Sequence, residues 1–193
     1  IVNRSEVFQF FKDHFPNFGN DDPKGVEWFF TGAYLGGDIN GFKGFFSEVF
    51  TRNNALTARS PHNPNREQFN TFVTDALLNK RAIGLNVYGV AGPQTGNHAM
   101  TAWGVEYDEA GDIAYIYYCD NNFADQDPNG AVIVRKQVVY VVDSYGKECT
   151  YLQQLKPEDP DTRVGKFLIT SVFSADLGRD IWKKKYPNVV VEK

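Results

Sequence analysis

From Ile83 onward, apolar and polar residues alternate in short runs separated by turns, and a period of two commits that half of the chain to strands. The runs fall at Ile83 to Val90, Ala99 to Tyr107, Ile113 to Cys119, Val132 to Val142, around Cys149 to Leu152, and Phe167 to Phe173, all rich in β-branched and aromatic residues. Asp108-Glu109-Ala110-Gly111 and Ser144-Tyr145-Gly146-Lys147 read as hairpin turns, because Gly adopts positive φ without a Cβ clash. Tight turns make the strands they join antiparallel neighbours.

Before residue 82 the period is that of helices. Ser5 or Asn3 caps a first helix carrying Val7, Phe8, Phe10 and Phe11, which Pro16 ends; a second spans Val26 to about Leu35, and a short one Phe45 to Phe50. Asn63 or Asn65 caps the strongest, running to about Lys80, whose Phe69, Phe72, Val73, Ala76 and Leu77 form one buried stripe. That stripe should pack on a sheet. Helices followed by strands predict an α+β fold, residues 1–81 mainly helical and 82–193 mainly strands, in a single domain. The Pro/Asp-rich stretch Lys156 to Arg163 reads as a surface loop inside the strand region, and no linker or repeat divides the chain.

With 16 Phe, 10 Tyr and 3 Trp in 193 residues, the chain has ample material for a core without disulfide staples. A net charge of -4 with both signs interspersed gives no phosphate-binding face, so nucleic acid is not an expected partner. The basic run Lys183-Lys184-Lys185 reads as a solvated end, and no apolar stretch approaches the ~18 residues of a membrane span. The opening Ile1-Val2-Asn3-Arg4 has neither initiator Met nor signal peptide, which reads as an excised or processed fragment. Two cysteines, Cys119 and Cys149, leave the redox compartment open.

Of the three histidines, His14 at a helix end and His62 in a Pro/Asn loop read as surface side chains. His98 differs. It follows the loop Ala91 to Asn97 and stands at the mouth of a strand, where a rigid sheet holds an imidazole beside a cleft. The next strand ends at Asp120, and counting from the turn centre sets residue 98 opposite about residue 121, beside Asp120, Asn121 and Asn122. A carboxylate accepting the Nδ1 proton fixes the tautomer and leaves Nε2 to exchange a proton with a thiol; a structural hydrogen bond between adjacent strands is the competing explanation. Cys119 and Asp120 point to opposite faces, so Cys119 reads as a buried small hydrophobe, and Cys149 lacks a helix N-terminus to depress its pKa. The nucleophile is expected elsewhere. Gly96 and Asn97 are candidates to position a substrate backbone, while the acidic residues Asp125 and Asp127 read as solvated, with no metal or cofactor expected.

The block Asn97-His98-Ala99-Met100-Thr101-Ala102-Trp103-Gly104-Val105-Glu106-Tyr107-Asp108, followed by Gly111 to Tyr117 and Asp120, resembles the His-strand-turn-strand-Asp/Asn block of papain-like peptidases. Within that clan it looks most like the secreted bacterial immunoglobulin-degrading, Mac-type cysteine endopeptidases. Phe46 to Arg52, Leu56 to Arg59, the Phe69 to Lys80 helix, Ala82 to Leu85 and Phe167 to Trp182 extend the resemblance collinearly. It implies a papain-like α+β fold with N-terminal helices packed on a mainly antiparallel C-terminal sheet, this chain being the C-terminal part of one peptidase domain whose Cys-bearing N-terminal part is absent. It further implies His98 as catalytic base, Asp120 as orienting carboxylate, and Asn122 where the family has a second acid, an amide that hydrogen-bonds an imidazole without adding charge. The expected partners are a protein substrate, with host immunoglobulin the candidate, and an associated N-terminal fragment; the expected location is secreted or cell-surface. A catalytically inactive binding or adhesin module is the alternative.

Overall fold

The computed structural model describes residues 9, 13, 22–34, 37–38, 44, 46–50, 57–91, 94–119, 133–153 and 166–188. The chain divides into two compact units, Ile1–Ala58 with Ala175–Lys193, and Arg59–Ser174.

In the first unit, helix α1 (Asp22–Thr31) begins and ends earlier than its apolar pattern predicts. Gly32, at φ +80, turns the chain out of the helix into a two-stranded ribbon of β1 (Ala33–Tyr34) and β2 (Gly37–Asp38). The helix expected at Phe45 to Phe50 is a turn over 46–49. Near the end of the chain lies helix α3 (Arg179–Lys185). An aromatic cluster holds these pieces together: Trp182 meets Phe46 and Phe50 edge-on with ring centroids 5.5 Å apart, and Phe30 lies 4.9 Å from Phe50. Gly178 (φ +61) leads into α3 where a Cβ would sit 2.4 Å from the Phe50 ring. The helix expected from Ser5 to Pro16 lies outside the described residues except Gln9 and Asp13, both helical.

The second unit is a closed barrel. After β3 (Thr57–Arg59) and helix α2 (Arg66–Leu78) come β4 (Ala82–Ala91), β5 (Gln94–Tyr107), β6 (Ile113–Cys119), β7 (Ile133–Val142), β8 (Glu148–Gln153) and β9 (Lys166–Ala175). The sheet order is β3-β9-β4-β5-β6-β7-β8, and β9 also pairs with β8, so β4 to β9 form a ring of six. Each consecutive pair is antiparallel. At the β9–β4 seam, Asn86 Nδ2 donates to Ser171 Oγ and Thr170 Oγ1 to the Asn86 carbonyl, both at 3.1 Å.

This corrects the expected fold class. The described residues are mostly sheet, a six-stranded antiparallel barrel with three short helices, and not the expected α+β arrangement of N-terminal helices packed on a mainly antiparallel sheet. The strand boundaries follow the alternation, but closure depends on β9 offering both of its edges, which alternation within a strand cannot reveal. In the first half, helices form at Asp22–Thr31 and Arg66–Leu78, where the apolar spacing places them; the exception is Phe45 to Phe50, where residues 46–49 form a turn and Phe46 joins the aromatic cluster, a difference that apolar spacing over so short a run does not reveal.

Buried apolar positions alternate along β4, β5 and β6: Ile83, Leu85 and Val87 on β4, Met100 and Ala102 on β5, Ile116 and Tyr118 on β6. Helix α2 adds Phe69, Val73 and Ala76 to the same core. Each fully buried Leu, Ile or Phe contributes about 1.5–3 kcal/mol. The helix is fixed at its start by a capping box in which Asn65 Oδ1 accepts from Gln68 N (2.9 Å) and Gln68 Oε1 accepts from Asn65 N (3.1 Å). Arg66 then reaches Asp112 at 3.2 Å and Glu148 at 3.6 Å, and Asn70 donates to Tyr140 Oη (3.1 Å) and accepts from Ile113 N (2.6 Å). Burial pushes the Tyr140 phenol up to about 12, so it stays protonated and donates to the Ile113 carbonyl at 2.9 Å.

The two hairpin turns share one device. Asp108 Oδ1 accepts from the backbone N–H of Ala110 and Asp112, Asp143 Oδ1 from Tyr145 and Lys147, and Gly111 and Gly146 take positive φ of +85 and +79.

Candidate active site

Both of these turns close one end of the barrel, so the β4–β5, β6–β7 and β8–β9 connections leave from the other end. His98 lies near that second mouth, four residues into β5, a strand that starts at Gln94 where a loop over 91–97 is expected from sequence. It pairs with Val87, one rung from Met100↔Leu85. Cross-strand partners share a face, and Val87, Leu85 and Met100 are buried in the core, so His98 faces the barrel interior; it is half-buried. Gly96, paired with Gly89, is the next residue outward on that face. Asn97 is exposed, pairs with Tyr88, and lies on the opposite face.

Asp120 and Asn122 lie outside the described residues, as do His14, Asp125 and Asp127. The β5–β6 pairing runs as far as Thr101↔Cys119, one residue before Asp120. His62 is exposed in the bend before α2.

Neither thiol shares the His98 position. Cys119 pairs with Thr101 on the outward face and is half-buried, not the buried residue expected; Cys149 pairs with Val141 beside the 143–147 turn at the far end, and is 4% exposed. Both are free. Among the described residues no group of three or more His, Cys, Asp or Glu could hold a metal ion, and no helix is long and apolar enough to cross a membrane.

Two features escape a sequence reading. On β5 the register shifts between Ala102 and Gly104, leaving Trp103 unpaired on a bulge and 64% exposed. On the outward face beside it, Arg135 grips Glu106 with Nε–Oε1 2.7 Å and Nη2–Oε2 2.6 Å, Tyr117 donates to the same carboxylate, and the guanidinium lies 3.3 Å over the Tyr115 ring. Only the period-two placement of these residues on adjacent strands hints at such a cluster.

The fold and site define a β-barrel protein that presents an imidazole inside one mouth. The family model Mac 1 matches residues 33–182, more than half of the chain, and the chain belongs to that family. No curated protein matches it. These findings correct the identification as the C-terminal portion of a papain-like peptidase: the matching family is Mac 1, and the strands close into a barrel.

Proposed function

We propose that this chain carries the imidazole of a cysteine endopeptidase that works outside the bacterial cell on a host protein, with immunoglobulin the candidate substrate. One observation carries the reading: in a Mac 1 family chain, His98 is half-buried on the inner face of the barrel, beside a mouth, with a glycine as its outward neighbour. A half-buried imidazole at such a place is partly screened from water while staying within reach of the mouth.

The thiol comes from outside these 193 residues. His98 takes its proton, and the paired imidazolium keeps sulfur as the thiolate. Sulfur bonds to the scissile carbonyl carbon, His98 returns the proton to the departing amine, and water then releases the acyl group with His98 again accepting a proton. In this reading Asp120 would accept from the ring N–H and fix the tautomer, Asn122 would add a neutral hydrogen bond, and the backbone of Gly96 and Asn97 would steady the substrate, the Asn97 side chain being on the outer face.

The test is alkylation of the intact protein by a peptidyl electrophile, with mass spectrometry to locate the label. The expected label falls on a Cys other than Cys119 or Cys149, and His98→Ala slows labelling about 10²–10⁴-fold. Equal labelling of wild type and His98→Ala ends the proposal. The placement of the two thiols, Cys119 on the outward face and Cys149 beside the 143–147 turn at the other end, supports a second reading, a binding module without catalysis; complete absence of labelling decides for it.

A further inference from the structure

The outer wall of β5, β6 and β7, on the face turned away from His98, carries the Trp103 bulge and the Arg135 cluster side by side. Gly104, the residue after Trp103, pairs with Tyr117, and Tyr117 pairs with Arg135, so these positions form one row across three strands. Glu106 and Tyr115 pair in a neighbouring row. Ile116, between Tyr115 and Tyr117, is buried in the core, which turns both tyrosines outward.

An indole that is 64% exposed forgoes most of what its burial would contribute, and a bulge is the device that re-aims such a side chain. The sheet beside it is held firmly. Arg135 is fixed by two hydrogen bonds to Glu106 and by the Tyr115 ring under its guanidinium, and Tyr117 donates to the same carboxylate. Side chains already fixed lose little further freedom when a ligand arrives.

Charge decides the class of ligand. Glu106 and Arg135 are the charged groups of these two rows and they neutralise each other, so the surface attracts neither a phosphate nor a basic segment. Polar capacity nevertheless remains: Glu106 engages two of the five guanidinium N–H groups, and the Arg135 and Glu106 side chains are 45% and 39% exposed. A protein partner's anchor would need a concave, dry pocket, whereas Trp103 projects from the outside of a barrel. A flat apolar ring beside fixed donors and acceptors matches a sugar, whose C–H face lies on the ring while its hydroxyls reach the polar edge. β7 lies two strand spacings from β5, about 10 Å, which suits two linked sugar rings.

We propose that the Trp103 face binds a neutral oligosaccharide of β-linked, equatorially substituted sugars. Equatorial hydroxyls leave the axial hydrogens as an apolar face for the indole, and the next sugar places its hydroxyls on Arg135 and Glu106. This binding does not depend on the peptidase reading.

The experiment is a ¹H–¹⁵N NMR titration of the protein with cellobiose and with N,N′-diacetylchitobiose, following Trp103 Nε1–H and Arg135 Nε–H, with N-acetyl-tryptophanamide as a mimic of a protein anchor. At least one disaccharide should shift both resonances at millimolar concentration, with an affinity that added salt leaves unchanged. Trp103→Ala should weaken the response at least tenfold, while Trp103→Phe, which keeps a ring, and Arg135→Met fall between. Unchanged core methyl shifts of Ile116 and Leu85 establish that each variant is folded. Resonances that ignore both sugars, or a sugar response that survives in folded Trp103→Ala, overturn the proposal. A response to the amide alone also overturns it and makes the face a protein-docking surface.

Discussion

Glu106 shows how far one side chain on an outer wall can be held from its ordinary chemistry. The hydrogen bonds from Arg135 and then from Tyr117 lower its carboxyl to about 2. A carboxyl whose folded pKa lies below its unfolded value stabilises the fold fully above the unfolded value of 4.5, and that contribution fades as pH falls through about 2. A ¹³C titration of Glu106 should therefore find a midpoint near 2, and in Arg135→Met the midpoint should rise toward the ordinary carboxylate range. An unshifted midpoint in the wild type would mean the pair does not form in solution. At this scale the sequence was partly readable. His98 stood out from His14 and His62 because of its place at a strand entrance, whereas the Phe167 ring against Gly89 needed a contact between residues 78 positions apart.

Elements were the most legible level, because each is written in local spacing. The run Ile113 to Cys119 was bounded correctly at both ends and the other expected strands to within a few residues, whereas the short β1, β2 and β3 were not expected. The largest error was at the start of β5, where Gly96 and Asn97 look like loop residues although Asn97, His98 and Ala99 pair in register with β4. At helix α2 both Asn63 and Asn65 were able to cap. The structure selects Asn65, whose partner Gln68 completes the reciprocal pair, while Asn63 takes φ 49 in the approach. Urea denaturation of Asn65→Ala should show a loss of about 1 kcal/mol, and Asn65→Gly only a few tenths. A loss as large in Asn65→Gly as in Asn65→Ala would assign the stability to something other than backbone geometry at the cap.

The whole molecule was the least legible, since closure joins strands distant in sequence. At the seam, β9 lies close against β4 because Gly84 leaves room for Phe173: a Cβ there would sit 1.9 Å from the Phe173 Cζ. Gly84→Ala should force the ring off the strand and cost about 1–3 kcal/mol, whereas Gly104→Ala, with nothing among the described residues within 4 Å, should stay within about 0.5 kcal/mol. Equal effects in equilibrium unfolding would show that the seam is not tightly packed. Because β9 is the last strand of the ring and holds both β8 and β4, a chain still on the ribosome carries two open edges until residue 175 has been made. At ordinary translation speeds that interval, counted from the end of β4, is on the order of 5 to 15 seconds, and during it the nascent barrel is open to pairing with another chain.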